Sequence, residues 1–232
     1  MTGWLTPAEW QAVLLSLRVA TWATLASLPL GLLVAYALAR WDFPGKGLLN
    51  GLVHLPLILP PVVTGYLLLV AFGTRGPVGG FLRDCCGIVL AFRWTGAALA
   101  AAVMAFPLMV RAIRLSIESV DGRLEAAAGT LGASPPWVFL TVTLPLCLPG
   151  VVAGAILAFA KAMGEFGATI TFVSSIPGQT QTLPSAIYAQ LQVPGGGEAA
   201  TRLVLVAIAV AMGALALSEW VGRRVGAWVA GR

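Results

Sequence analysis

The sequence predicts an all-α, polytopic membrane protein with five spanning helices, and three observations carry that reading. Of 232 residues, 59% are hydrophobic and 10% charged, whereas a soluble domain spends about a quarter of its residues on charge. The mean hydropathy is +0.91. The apolar residues gather into uncharged runs near the ~20 residues that a helix needs to cross the hydrocarbon, and the basic residues sit singly or in pairs around those runs.

Residues 19–39 form the first run, with Arg18 and Arg40 at its ends. The second, 48–72, holds Pro56, Pro60 and Pro61 at a depth inside the bilayer. Their missing N–H donors must be compensated by neighbouring protein or water, so a kinked, protein-facing helix is expected. The third run covers 88–110, with Arg93 near one end and Pro107 near the other. A fourth helix is expected from near Thr143 toward Phe172, with Lys161 and Glu165 inside it. Residues 174–200 are too rich in Pro, Gly and Gln to span, and the fifth helix, 203–218, borrows Thr201, Glu219 and Trp220 at its edges.

An odd number of spans puts the termini on opposite sides, and the Lys/Arg excess marks the cytoplasmic one. With the N-terminus outside, Arg40, Lys46, Arg111, Arg114, Arg123, Arg223, Arg224 and Arg232 are cytoplasmic, against Arg75, Arg83, Arg93 and Arg202 outside. The opening MTGWLTPAEW lacks the basic n-region of a cleaved signal peptide.

Several function classes drop out. The net charge of +5 comes without a Lys/Arg cluster or aromatic–basic alternation, so nucleic acid is not an expected partner. Cys85, Cys86 and Cys147 offer no disulfide framework and no metal-ligand spacing, and Cys147 reads as a small packing residue. The single histidine, His54, rules out bis-histidine haem ligation within the chain. That weakens the rival reading of a membrane anchor for a respiratory enzyme, and His54 is read as a polar packing residue. No Gly-rich loop precedes a GK[ST] triplet, so no ATP site is expected here. No internal repeat of the inverted-carrier kind is evident.

The longest cytoplasmic connection, 111–142, reads as two short helices. Asp121 is placed as an N-cap, with Glu125 near the favourable end of the helix dipole. Gly132 is placed as the stop, Ser134 as a new cap, Pro135 at the first helical position, and Pro145 at entry into the fourth span. Ala126, Ala127, Ala128, Gly129 and Ala133 permit close approach by a partner, and Leu124, Leu131 and Trp137 can fill its pockets. A bland re-entrant loop would carry the same caps.

The stretch EAAAGTLGASPPWVFLTVTLP (125–145) resembles the EAA signature of membrane subunits of bacterial ATP-binding-cassette importers. Glu125, Ala126, Ala127 and Gly132 occupy its positions and Leu144-Pro145 its end. LPLILPPVVTGYLLL (55–69), FPLMVRAIRLSIESVD (106–121) and FAKAMGEFGATITFVSSIPGQTQTLPSAIY (159–188) resemble the molybdate permeases of the sulfate, molybdate and tungstate importer group. The last piece is shared in part with sulfate permeases, so sulfate/thiosulfate or tungstate is the alternative cargo. The resemblance covers nearly the whole chain. It implies one transmembrane domain over 1–232 of type I importer permease fold, with a core of about 12–222 and a coupling loop at 118–142, in the bacterial cytoplasmic membrane. It further implies a pore made by two copies, two ATPase subunits that hold ATP and Mg2+, and an extracytoplasmic binding protein that delivers molybdate. Asp121, Leu124, Glu125, Ala126, Ala127, Leu131, Gly132, Ala133 and Trp137 would then form the ATPase-coupling site. The chain itself would hydrolyse nothing and carry no cofactor or metal.

For the pore, an anion asks for hydroxyls and backbone N–H groups. Thr64, Gly65, Tyr66, Thr169 and Thr171 are candidates, as are the breaks at Pro60-Pro61 and from Gly164 to Gly167. Packing by small residues explains each of them equally well. Lys161 and Glu165, four apart, can pair on one helical face. A carboxylate would repel an anionic cargo, so a gate or helix-contact role is expected for the pair.

Overall fold

The computed structural model of the chain describes residues 4–230, with side chains at 218, 221, 223 and 225–230 excepted. Arg232, and the side chain of Arg223, therefore lie outside the described residues. The elements in order are α1 (Pro7–Arg40), α2 (Lys46–Ile58), α3 (Pro61–Phe72), α4 (Pro77–Cys86), α5 (Trp94–Glu118), α6 (Gly122–Thr130), α7 (Pro135–Val138), a π-helical turn (Phe139–Thr143), α8 (Leu144–Met163), α9 (Gly167–Val173), α10 (Leu183–Leu191) and α11 (Gly197–Ala230). Among the described residues, Pro7–Arg40, Trp94–Glu118, Pro135–Met163 and Gly197–Leu217 are each long and apolar enough to cross a membrane, and α2 with α3 makes a fifth span if the bent pair counts as one.

At the hub is α5, 56% of whose apolar stretch is buried. It runs parallel to α1: Arg18 lies over the Trp94 ring at one end, and Arg40 reaches the Val120 carbonyl at the other. The antiparallel α8 closes on it through small residues. A side chain at Gly150 would overlap Ser116, and one at Gly154 would sit 3.1 Å from the Met109 carbonyl. This G-x-x-x-G spacing lets two backbones approach in a medium that offers no hydrophobic drive between helices. Met109, Val110, Ile113, Cys147 and Ala158 fill the resulting core. Cys147 is buried there, as a packing residue would be.

The helices depart from the apolar runs at their ends. α1 begins at Pro7, ahead of Val19, because Thr6 and Glu9 form a reciprocal capping box there. α5 begins at Trp94 rather than at 88 and continues to Glu118, so 111–118 is helix and not connection. Pro107 sits inside α5 without ending it.

Two spans need correction. The second run is a V: α2 and α3 meet at a 115° bend. Leu59 and Pro60 are extended there (ψ 144° and 135°), because a residue before proline is driven out of the α region. Within one chain α2 is also not protein-facing, since Val53 is its single buried residue. The expected fourth helix ends at Met163, and α9 restarts at Gly167 after an unwound corner. Residues 174–196 form no span but do contain α10, whereas 197–200, expected outside the last span, already belong to α11, which begins at Gly197 rather than at 203.

Candidate functional site

The loop from 118 to 142 contains two helical pieces. Asp121 accepts from the Arg123 N–H at 2.9 Å and so caps α6. Gly132 follows α6 with φ +87°, a left-handed conformation costly for any residue with a Cβ. Ser134 stands at the N-cap of α7 with Pro135 in the first turn, but its hydroxyl makes no capping bond.

The second piece is not a separate surface helix. It forms one continuous rod with the fourth span, Pro135–Met163, through the π turn at Phe139–Thr143. Pro145 explains the turn: in a regular α-helix its ring would press on the carbonyl four residues back, at Thr141, and it has no N–H to give. The wider turn, closed by the Leu144 N–H on the Phe139 carbonyl, relieves that crowding. Pro145 thus lies inside the rod rather than at its entrance.

Glu125 is turned inward. Its carboxylate lies 3.2 Å from Arg40 Nε and accepts from the Thr143 hydroxyl at 2.6 Å, and Arg40 also donates to the Val120 carbonyl at 3.0 Å. One carboxylate therefore ties α6 to the end of α1 and to the base of α8, with charge-assisted bonds in a partly buried site. Arg40 and Thr143 are the residues that sequence reasoning missed. Arg40 was read as the end of a span and Thr143 as the start of one, with nothing local to join them.

With Glu125 held inside, the apolar residues of the loop face out. Leu124 is 49% exposed, Leu131 89% and Trp137 61%, while Ala126, Ala127 and Gly132 are exposed between them and Ala133 is half-buried. Three large apolar side chains and several small residues are thus exposed on this one loop.

The pore candidates divide. Gly65 and Gly167 belong to the contact between α3 and α9: a Cβ at Gly65 would lie 2.5 Å from the Ala168 carbonyl, and one at Gly167 2.7 Å from Pro61 Cβ. Thr169 and Thr64 are buried, and the Thr64 hydroxyl has no hydrogen-bond partner among the described residues. Thr171 Oγ1 donates within its own helix to the Gly167 carbonyl at 2.8 Å. Pro60, Pro61 and Tyr66 are exposed at the corner and on α3. Lys161 and Glu165 do pair, at 3.0 Å, and the other Glu165 oxygen accepts from the Ala168 N–H at 2.9 Å. Glu165 thereby caps α9 and joins α8 to it across the corner, as a helix-contact residue. His54 Nδ1–H donates locally to the Asn50 carbonyl, at 2.8 Å. The loop before α10 is folded around Thr180, whose hydroxyl accepts from the Ile176 N–H at 3.0 Å and donates to the Ser174 carbonyl at 3.2 Å; nothing in the spacing of that loop had singled Thr180 out.

The family model for the inner membrane component of binding-protein-dependent transport systems matches residues 27–227. The chain belongs to this family. As such a permease subunit it is a transport component of an ATP-binding-cassette importer and not an enzyme, with ATP hydrolysis residing in a partner chain. It is 61% identical over 219 residues to the molybdenum transport system permease protein ModB of Escherichia coli strain K12, covering 94% of this chain and 96% of that one. Identity to the protein of the same name from Haemophilus influenzae is 56%, over 94% and 95% of the two chains. Among solved structures, a bacterial ABC transporter involved in the import of the acidic polysaccharide alginate superposes with a TM-score of 0.73 at 16% identity, over 94% of this chain and 80% of that one. At that identity the likeness establishes the fold of the permease and nothing about its cargo.

Proposed function

We propose that this permease subunit carries molybdate inward across the bacterial cytoplasmic membrane, as one half of a pore formed by two copies of a single-domain chain. The observation that carries the reading is the 61% identity to a molybdenum permease across 94% of the chain. The N-terminus faces outside, where a binding protein delivers the oxyanion, and the α6–α7 end faces the cytoplasm, as the distribution of Lys and Arg favours. Two ATPase subunits, which hold ATP and Mg2+, dock there. Leu124, Leu131 and Trp137 supply the anchors, Ala126, Ala127 and Ala133 the close approach, and Asp121, Glu125 and Gly132 the shape.

An energy source is required by the cargo's charge. Moving one elementary charge against the membrane potential costs about 2.3 kcal/mol per 100 mV, so a dianion moving to the negative side costs about 4.6 kcal/mol per 100 mV before any concentration term. The chain has no means of supplying this. Motion of the docked ATPases reaches the pore through α6, which Glu125 fastens to α1 and α8. Pro60, Pro61 and Tyr66 line the path near the corner between α2 and α3, while Gly65, Gly167, Thr64, Thr169 and Thr171 shape the α3–α9 contact behind it. Lys161 and Glu165 set the angle between α8 and α9.

The test is ATP-driven uptake in vesicles containing the complete transporter, with labelled molybdate competed by sulfate, thiosulfate and tungstate. Molybdate is expected to be taken up in preference to sulfate; preference for sulfate would move the assignment to the sulfate permeases. Replacing Gly132 with valine is expected to abolish uptake while the chain remains membrane-inserted. A Cβ there meets nothing of this chain within 4 Å, so the loss would come from the φ of +87° and from bulk added to the docking surface. Unchanged uptake would sink the coupling assignment.

A further inference from the structure

An apolar cleft of about 650 Å³ opens on the side of the molecule between α1, α2 and α5. Trp22, Ala26 and Leu30 line it from α1, Val53 from α2, and Trp94 and Phe106 from α5. From Trp94 to Phe106 it follows twelve residues of α5, about 18 Å at the helical rise. Half of a typical hydrocarbon core is about 15 Å. The cleft thus has the length of one leaflet, and its wall is almost wholly hydrocarbon.

The Trp94 end of the cleft is flanked by cations. The Arg18 guanidinium lies 3.8 Å from the centroid of the Trp94 ring, and Arg93 directly precedes Trp94 and is exposed. Neither arginine side chain forms a salt bridge among the described residues: Arg18 is held by the indole face, and Arg93 makes only backbone hydrogen bonds. Two guanidiniums without carboxylates, beside two tryptophans at one end of a leaflet-length apolar slot, match the two halves of an anionic phospholipid.

The geometry points to a binding site for an anionic phospholipid, with one acyl chain in the cleft and the phosphate on Arg18 and Arg93. The acyl chain covers the apolar wall of the cleft, and the phosphate offsets part of the positive charge of Arg18 and Arg93. Because α1, α2 and α5 meet there, an occupied cleft props α2 at its bend and fixes how far the V can close. The site rests on the chain being in a membrane and is independent of which oxyanion is carried.

The test uses the full-length dimer in nanodiscs of phosphatidylcholine containing a minor share of phosphatidylglycerol, with retained lipid counted by native mass spectrometry. Wild type is expected to retain phosphatidylglycerol in preference to phosphatidylcholine, about one per protomer. Arg18→Gln with Arg93→Gln should weaken that preference by roughly fivefold per arginine. Both side chains are exposed, so folding should be unaffected, as circular dichroism and gel filtration would verify. Ala26→Trp, filling the slot from an exposed position, should lower retention of both lipids. Equal retention of the two lipids by wild type, or unchanged retention in both variants, would overturn the site. So would an efficient disulfide between two copies carrying Ala26→Cys in a Cys85→Ser, Cys86→Ser background, since the cleft would then be occupied by the second chain.

Discussion

Glu125 shows how far a single side chain can be read in advance. Its place near the start of a capped helix follows from local rules, and Asp121 and Gly132 follow from the same rules, because caps and left-handed stops depend on neighbours within a few residues. Its partners do not. Arg40 is 85 positions away and Thr143 is 18, and no periodicity links a basic residue at the end of one helix to a carboxylate in a distant loop. The geometry gives the trio a measurable signature. Hydrogen bonds to charged groups are worth about 1.5–3 kcal/mol, so Glu125→Gln and Arg40→Met should each loosen α6. The readout is faster amide hydrogen exchange across 122–130 together with ATP hydrolysis that no longer tracks uptake. The double variant should exchange faster than either single one but by less than the sum of their effects, because the two share one contact while Arg40 also holds the Val120 carbonyl and Glu125 the Thr143 hydroxyl. Additive effects would show that Arg40 and Glu125 act separately.

At the level of elements, hydropathy located the spans and proline located the breaks, but the angles came from packing. Pro60 and Pro61 announced an interruption, and nothing in the run distinguished a kink from the 115° V that forms. α9 closes on α3 at that V through Gly65 and Gly167, residues that composition alone left divided between packing and pore lining. Gly65→Ala places a methyl 2.5 Å from a backbone carbonyl, which cannot move as a flexible side chain would. It should lower the thermal unfolding midpoint of the purified protein and reduce uptake. Gly51→Ala, where an added Cβ meets nothing within 4 Å, should leave both unchanged or raise the midpoint slightly by favouring helix. If the two variants behave alike, the α3–α9 contact is not what holds the corner.

For the whole molecule, direction is a matter of charge and not of packing, since helix packing is the same whichever side faces the cytoplasm. The native thiols offer a direct measurement. Cys85 and Cys86 at the end of α4 are exposed and Cys147 is buried, and α4 lies at the end opposite α6. With the N-terminus outside, a membrane-impermeant maleimide added to intact cells should label the wild-type chain. It should fail to label a Cys85→Ser, Cys86→Ser variant carrying Asp42→Cys, at a fully exposed position just after α1, until the membrane is permeabilised. The reverse pattern would invert the topology and move the docking surface outside. The π turn adds a consequence for that surface. One extra residue in the turn advances the rod by about 100° of azimuth, so the bearing on which Trp137 leaves the axis is uncoupled from the stripe by which α8 lies against α5. Two neighbours with different demands, one in water and one in lipid, can thus be faced by one rigid shaft.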